Sequence, residues 1–306
     1  MFIKIPLFIF KKAMANGDRD FAKSHKSFGN FSIMKDLPYI DDGNIFHKLD
    51  ILKPVLGKEN GITLFYIHGG GYIHGTKEDS QIFNSWFVDK GFTVISINYR
   101  LMNDDDVDFK EQMKDIVCAL NYAYENRYNF EIDFSNLCFM GDSAGGHMAL
   151  MLDLLMHYKE ISDYYGFSVN KEINVKCIAL NSTMYDYASL IPFGLKYVTK
   201  RNLKKVLSKY CFDKEYVKKN SPREYIKSGY KISPLLNTTS YHDMFNFQSL
   251  KLKKDAEKLN LNVQTFIETS PKKQIGHVYN HFLFVDEGEK CNQTMVDFFK
   301  HNCFIE

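Results

Sequence analysis

The chain has 306 residues, of which 45% are hydrophobic and 25% charged, with a formal net charge of +2. A chain of this length buries about three quarters of its unfolded surface, so it needs no disulfide or metal staple. The near-neutral balance argues against nucleic acid as the main partner. The six cysteines include no C-x-x-C pair and several sit in apolar runs, so they read as reduced thiols of a cytosolic protein, not a disulfide frame or zinc site.

In chain order, Met1 to Phe10 is apolar but broken by Lys4 and Pro6, too short to span a bilayer. It lacks a small-residue cleavage site, and Lys11-Lys12 follow the apolar part instead of preceding it. Two readings stay open. It is either an amphipathic segment that lies over the mouth of the site or packs on the body, the favoured reading, or a weak interfacial anchor; stable membrane insertion is not expected. Residues 13 to 40 read as a helix and loop leading to the first strand. Asn44 to Leu52 alternates apolar and polar residues, as an edge strand does. Ile62 to Ile67 is a nearly continuous apolar run, expected as a strand covered on both faces. His68-Gly69-Gly70-Gly71-Tyr72 follows at once. Three successive glycines cost chain entropy and let backbone N–H groups approach a ligand atom closely. The Asp79–Lys90 segment reads as a helix ended by Gly91, Thr93 to Tyr99 as a β-branched strand, and Asp108 to Asn126 as a helix after the acidic turn Asp104-Asp105-Asp106.

Asn136 to Met140 reads as a short buried strand and Met148 to Leu155 as a helix, with Gly141-Asp142-Ser143-Ala144-Gly145 between them. This is G-x-S-x-G in its strand–turn–helix context, a turn that strains its central residue and projects the Ser143 hydroxyl. The helix N-terminus behind it favours developing negative charge. Val175 to Leu180 is a further strand, and the alternation of strands with helices implies a mainly parallel sheet with helices on both faces. Between 186 and 233 the rhythm changes and lysines crowd together from Lys196 to Lys219. A basic groove for nucleic acid is one reading. A helical insertion with a solvated basic face, capping the site, is favoured because the chain as a whole is near neutral. Asn262 to Glu268 is expected as the last strand, and a C-terminal helix is expected to begin with Gln293 to Phe299.

The HGGGY run at 68–72, Asn98-Tyr99-Arg100, GDSAGG at 141–146, Tyr241-His242-Asp243 and Gly276-His277-Val278-Tyr279-Asn280 together resemble the hormone-sensitive-lipase-like carboxylesterase branch of the α/β-hydrolases. The resemblance spans roughly residue 38 to the C-terminus. It implies one α/β-hydrolase domain over 1–306, with the segment 1–40 and the insertion 186–233 as its cap. It further implies a serine esterase acting on a small-molecule ester; the cysteine pattern makes it cytoplasmic, and, with no ligand spacing such as H-E-x-x-H, no metal and no cofactor are expected. Ser143 is then the nucleophile, His277 the base and Asp243 the acid that orients it, while the N–H groups of Gly70, Gly71 and Ala144 receive the oxyanion. His277 is preferred to His281 because it follows Gly276 in a loop and its HVYN run matches the family pattern; His68 and His147 read as structural. The acid segment leaves two alternatives: either a strand starts directly after Ser233-Pro234, or the region is abbreviated. Asn237, Thr238 and Thr239 are polar for a central strand. Two rival functions are carried, a non-catalytic ligand-binding protein on the same fold and an amidase or peptidase.

Overall fold

A computed structural model describes residues 28–102, 106–197 and 199–304. Met1 to Phe10, for which the amphipathic reading was made, and Asp104 and Asp105 of the acidic turn lie outside the described residues. Two strands come first, β1 (Phe31–Pro38) and β2 (Lys48–Pro54), paired antiparallel. Then follow β3 (Thr63–Ile67), α1 (Gln81–Asp89), β4 (Thr93–Ile97), α2 (Phe109–Glu125), β5 (Leu137–Asp142), α3 (Ala144–His157), α4 (Lys159–Tyr165) and β6 (Val175–Asn181). Four short helices separate β6 from the next strand: α5 (Tyr187–Tyr197), α6 (Lys200–Leu207), α7 (Lys214–Lys219) and α8 (Pro222–Lys227). The chain closes with β7 (Leu235–Ser240), α9 (Asn246–Leu259), β8 (Val263–Glu268), a single 3₁₀ turn at Tyr279–His281 and α10 (Asp286–Cys303).

The strands form one sheet in the order β1-β2-β4-β3-β5-β6-β7-β8, parallel from β4 through β8. Successive side chains of a strand point to opposite faces, and β3 is buried along its whole length. Phe65 and Ile67 join one core cluster with Met113, Ile116 and Leu120 of α2 and Leu150 of α3. Leu64 and Tyr66 join another with Phe83 and Phe87 of α1 and Met295 and Phe299 of α10. Helices thus cover both faces, each fully buried large side chain contributing about 1.5–3 kcal/mol. This is the α/β-hydrolase fold. The α2 start is fixed by Asp108, whose carboxylate accepts from the N–H groups of Lys110 and Glu111.

Several expectations are corrected. Among the described residues the first strand is β1, inside the stretch read as helix and loop, and it is β1 and not Asn44–Leu52 that forms the edge. β1 hides from a period-two reading because its register shifts between Met34 and Leu37 and Asp36 takes a positive φ of 54° there. β2 lies between β1 and β4, which explains why Leu49, Ile51 and Leu52 are buried. The C-terminal helix starts at Asp286, before Gln293. Asp286, Glu287 and Glu289 suit its first turn, and Gly288 is there because a Cβ would lie 2.3 Å from the Phe282 carbonyl oxygen. Neither α4 nor α9 was anticipated. All six cysteines are free.

Candidate active site

β5 carries Ser143 to the top of the parallel sheet and α3 begins immediately after it. Ser143 has φ 53° and ψ −117°, a conformation costly for a residue with a side chain. The surroundings hold it there. Its N–H donates to the Asn181 carbonyl at 2.9 Å, and its carbonyl accepts from His147 N at 3.2 Å. Gly145 is required by contact: a Cβ would meet the Ile67 and His68 carbonyl oxygens at 2.1 and 2.5 Å. Ala144 is the first residue of α3, where N–H groups have no intrahelical partner.

The structure brings Ser143, His277 and Asp243 together. The Ser143 hydroxyl lies 3.0 Å from His277 Nε2. His277 Nδ1 lies 2.8 Å from Asp243 Oδ1. Because the carboxylate can only accept, Nδ1 carries the proton and Nε2 is free to accept from the hydroxyl. Asp243 also accepts from Phe245 N at 2.8 Å and from Thr239 Oγ1 at 3.1 Å. Burial pushes its carboxyl up, but the bonds and charge of His277 and the Phe245 amide outweigh this and hold it below the ordinary carboxylate range.

The acid segment follows the first of the two alternatives: β7 starts at Leu235, directly after Pro234, and is fully buried. Its polar residues bond neighbouring segments, among them the loop that carries His277: Asn237 Nδ2 donates to the Ser249 carbonyl at 3.2 Å and Thr239 to Asp243. Ser240 Oγ donates to the Ile275 carbonyl at 2.6 Å. Thr238 Oγ1 donates to Asn181 Oδ1 at 2.8 Å, and Asn181 Nδ2 reaches Asn280 Oδ1 at 2.6 Å. Val278, whose φ is 55°, donates its N–H to Ser182 Oγ at 3.1 Å. Ser240 of β7 on one side of His277, and Asn181 and Ser182, at and beyond the end of β6, on the other, thus hold the His277 segment through buried hydrogen bonds.

The glycine run sits beside the serine. A Cβ on Gly69 would lie 3.3 Å from Ser143 Cβ, and one on Gly70, whose φ is 113°, would strike the His74 carbonyl oxygen at 1.9 Å. Sequence reasoning passed over Asp142, the variable position of the G-x-S-x-G pattern. Its buried carboxylate accepts from Gly69 N at 3.2 Å and from the Tyr66 hydroxyl at 2.5 Å, and it faces His281 Nε2 at 3.5 Å. Burial raises its carboxyl, yet His281 and the Tyr66 hydroxyl bring it below its ordinary value. Asp142 therefore ties the glycine run to the serine turn, and His281 stacks on Phe83 at 4.0 Å instead of reaching the hydroxyl of Ser143. His68 stacks on Tyr99 at 4.3 Å, and its imidazole is held low by burial. His147 is buried, with Nδ1 2.9 Å from the Tyr72 hydroxyl and Nε2 2.8 Å from the Asn220 carbonyl.

An imidazole between a carboxylate and a hydroxyl can take the hydroxyl proton and spread the resulting charge, which makes a weak alcohol nucleophile competent. Among the described residues no group of three or more His, Cys, Asp or Glu side chains could hold a metal ion. Among them, too, no helix is long and apolar enough to cross a membrane.

The class defined by this fold is matched by solved structures. Esterase B from Lactobacillus rhamnosis, also solved inhibited by a tributyrin phosphonate, superposes with a TM-score of 0.84 at 22% identity, over 95% of this chain and 92% of that one. A bacterial heroin esterase gives 0.71 at 18% identity over 100% and 95%. An esterase of the bacterial hormone-sensitive lipase family gives 0.68 at 18% over 94% and 89%. A protein of Acanthamoeba polyphaga mimivirus named as an alpha/beta hydrolase is 33% identical over 121 residues, 39% of this chain and 34% of its own length, so the match spans about a third of that relative. The BD-FAE family model matches residues 49–254, and the chain belongs to that family.

Proposed function

We propose that the protein is a serine carboxylesterase acting on small, uncharged acyl esters. The observation that carries this reading is the continuous hydrogen-bonded line from the Ser143 hydroxyl through both nitrogens of His277 to Asp243. Ser143 Oγ attacks the acyl carbonyl while its proton passes to His277 Nε2. Asp243 keeps the imidazole in the required tautomer and stabilises its cation. The N–H groups of Gly70, Gly71 and Ala144 receive the oxyanion; one such donor is typically worth about two to three orders of magnitude in rate. His277 then protonates the leaving alcohol, and water repeats the sequence on the acyl-enzyme, releasing the acid and freeing Ser143.

In this reading residues 1–306 act as one domain, with 1–40 and the helices of 186–233 as a cap over the site, in the cytoplasm and without a nucleic-acid partner. A ligand-binding protein without catalysis would have no use for an imidazole aligned on both groups, so the geometry favours the enzyme. The test is Ser143→Ala with a short p-nitrophenyl ester. Hydrolysis should drop to background and a fluorophosphonate should no longer label the protein. Turnover that survives the substitution refutes the assignment.

A further inference from the structure

We infer that the alcohol half of the ester lies against an aromatic wall built by Phe193, Phe245 and Phe247, so that the enzyme selects esters of apolar, ring-bearing alcohols; this rests on the roles of Ser143 and His277 proposed above. The Phe245 ring meets the His277 imidazole edge-on, with centroids 5.1 Å apart and planes at 65°. Phe193, from α5, lies 4.8 Å from Phe245 and 5.7 Å from Phe247. All three rings remain partly exposed, as does His277. The chemistry decides which half of the substrate meets them. His277 Nε2 hands its proton to the leaving oxygen, so that oxygen must come within hydrogen-bond reach of the imidazole. The substituent on that oxygen then extends over whatever flanks the ring, and the flanking group is Phe245. The acyl half is bonded to Ser143 Oγ and has its carbonyl oxygen turned toward the glycine run, on the other side of the reacting carbon.

The wall is also held in shape. Its two halves sit on α5 and on the segment opening α9, and a polar clamp joins these elements. Gln248 Oε1 accepts from Tyr185 N at 3.1 Å and Asp186 N at 2.8 Å, and its amide nitrogen donates to Ser189 Oγ at 2.8 Å. Lys251 Nζ reaches Asp186 at 2.7 Å while lying 5.6 Å from the centre of the Phe247 ring. Rings fixed in advance lose little freedom when a ligand ring covers them, so the contact is expressed as selectivity.

The experiment compares acetate esters, which share one acetyl-enzyme, so that kcat/KM differences report the alcohol alone. Ethyl acetate and 2-phenylethyl acetate release unactivated primary alcohols and differ in the ring. The wild type should prefer 2-phenylethyl acetate by about tenfold or more, and Phe193→Ala and Phe245→Ala should each pull that ratio toward one. Phe193→Leu, which keeps an apolar side chain, should give an intermediate ratio and stands in if Phe193→Ala does not fold. A wild-type ratio near one overturns the proposal. So does an unchanged ratio in the variants alongside a lost preference among ethyl esters of growing acyl length, which would put the wall on the acyl side. Failure of the underlying reading looks different: no ester is hydrolysed, or Ser143→Ala hydrolyses them as fast as the wild type.

Discussion

Removing the Asp142 carboxylate should disable the site without touching any of the three residues proposed to act on the substrate. Asp142→Ala leaves the Gly69 amide without its acceptor and the buried Tyr66 hydroxyl with Ser80 Oγ, 3.1 Å away, as its remaining partner. A stranded amide costs about 1–3 kcal/mol, so the variant should lose roughly 1–3 kcal/mol, a sizeable part of the ~5–15 kcal/mol typical of a folded domain. Asp142→Asn keeps the volume and one oxygen but gives up the ionised acceptor. A bond to a charged group is worth about 1.5–3 kcal/mol against about 1 for a neutral one, so its cost should be about 0.5–2 kcal/mol. The kinetic effect follows from geometry. Gly69 opens the run whose next two amides are proposed to meet the oxyanion, and a displaced donor costs up to ~10²–10³ in rate. Expected values are a kcat lowered by about tenfold for Asn and about a hundredfold for Ala, with KM moving far less because the interaction is made in the transition state. Urea unfolding and steady-state hydrolysis of a short p-nitrophenyl ester measure both. An alanine variant that unfolds within about 0.5 kcal/mol of wild type and keeps kcat within about twofold would refute the anchoring argument.

Two further substitutions test other parts of the frame. Burial holds the His147 imidazole down to about 3. Between there and the ordinary histidine value of about 6.5 the unfolded chain binds a proton that the native state refuses, so stability falls with falling pH by ~1.4 kcal/mol per unit from this residue. His147→Gln, whose amide can still donate to Asn220 and accept from Tyr72, should therefore shrink the stability loss between pH 7 and pH 5 by about 2 kcal/mol; parallel curves from denaturant titrations would contradict this. Gly145→Ala places a methyl against two backbone carbonyls of β3 and the loop after it, which should cost about 3 kcal/mol or more and depress the melting temperature by several degrees. A melting temperature within about 2 °C of wild type would show that the close approach can relax.

The parallel strands were legible because burial on both faces writes itself as apolar runs, as in Ile62–Ile67. The serine turn and glycine run were legible because their backbone geometry admits few residues. β1 was not, since its bulge at Asp36 breaks the alternation that marks a strand. β7 looked too polar for the middle of a sheet because its partners, Asn181, Ser249 and the carbonyl of Ile275, come from segments distant in the chain. The same remoteness hid Asp142: its value lies in meeting Tyr66, Gly69 and His281, and local spacing records none of those encounters. The pairing of Phe193 with Phe245 and Phe247 likewise depends on how α5 folds back onto α9.

Ser143 leaves β5, whereas its two hydrogen-bonded companions leave β7 and β8, with 134 positions between the hydroxyl and the imidazole. In the proposed mechanism a growing polypeptide emerging at ~5–20 residues per second therefore carries Ser143 without its base for roughly 7–27 s before the imidazole is synthesised. Under the roles proposed for Ser143 and His277, chemical competence arrives only with the far edge of the sheet, and a chain cut before residue 277 should hydrolyse no ester through this serine.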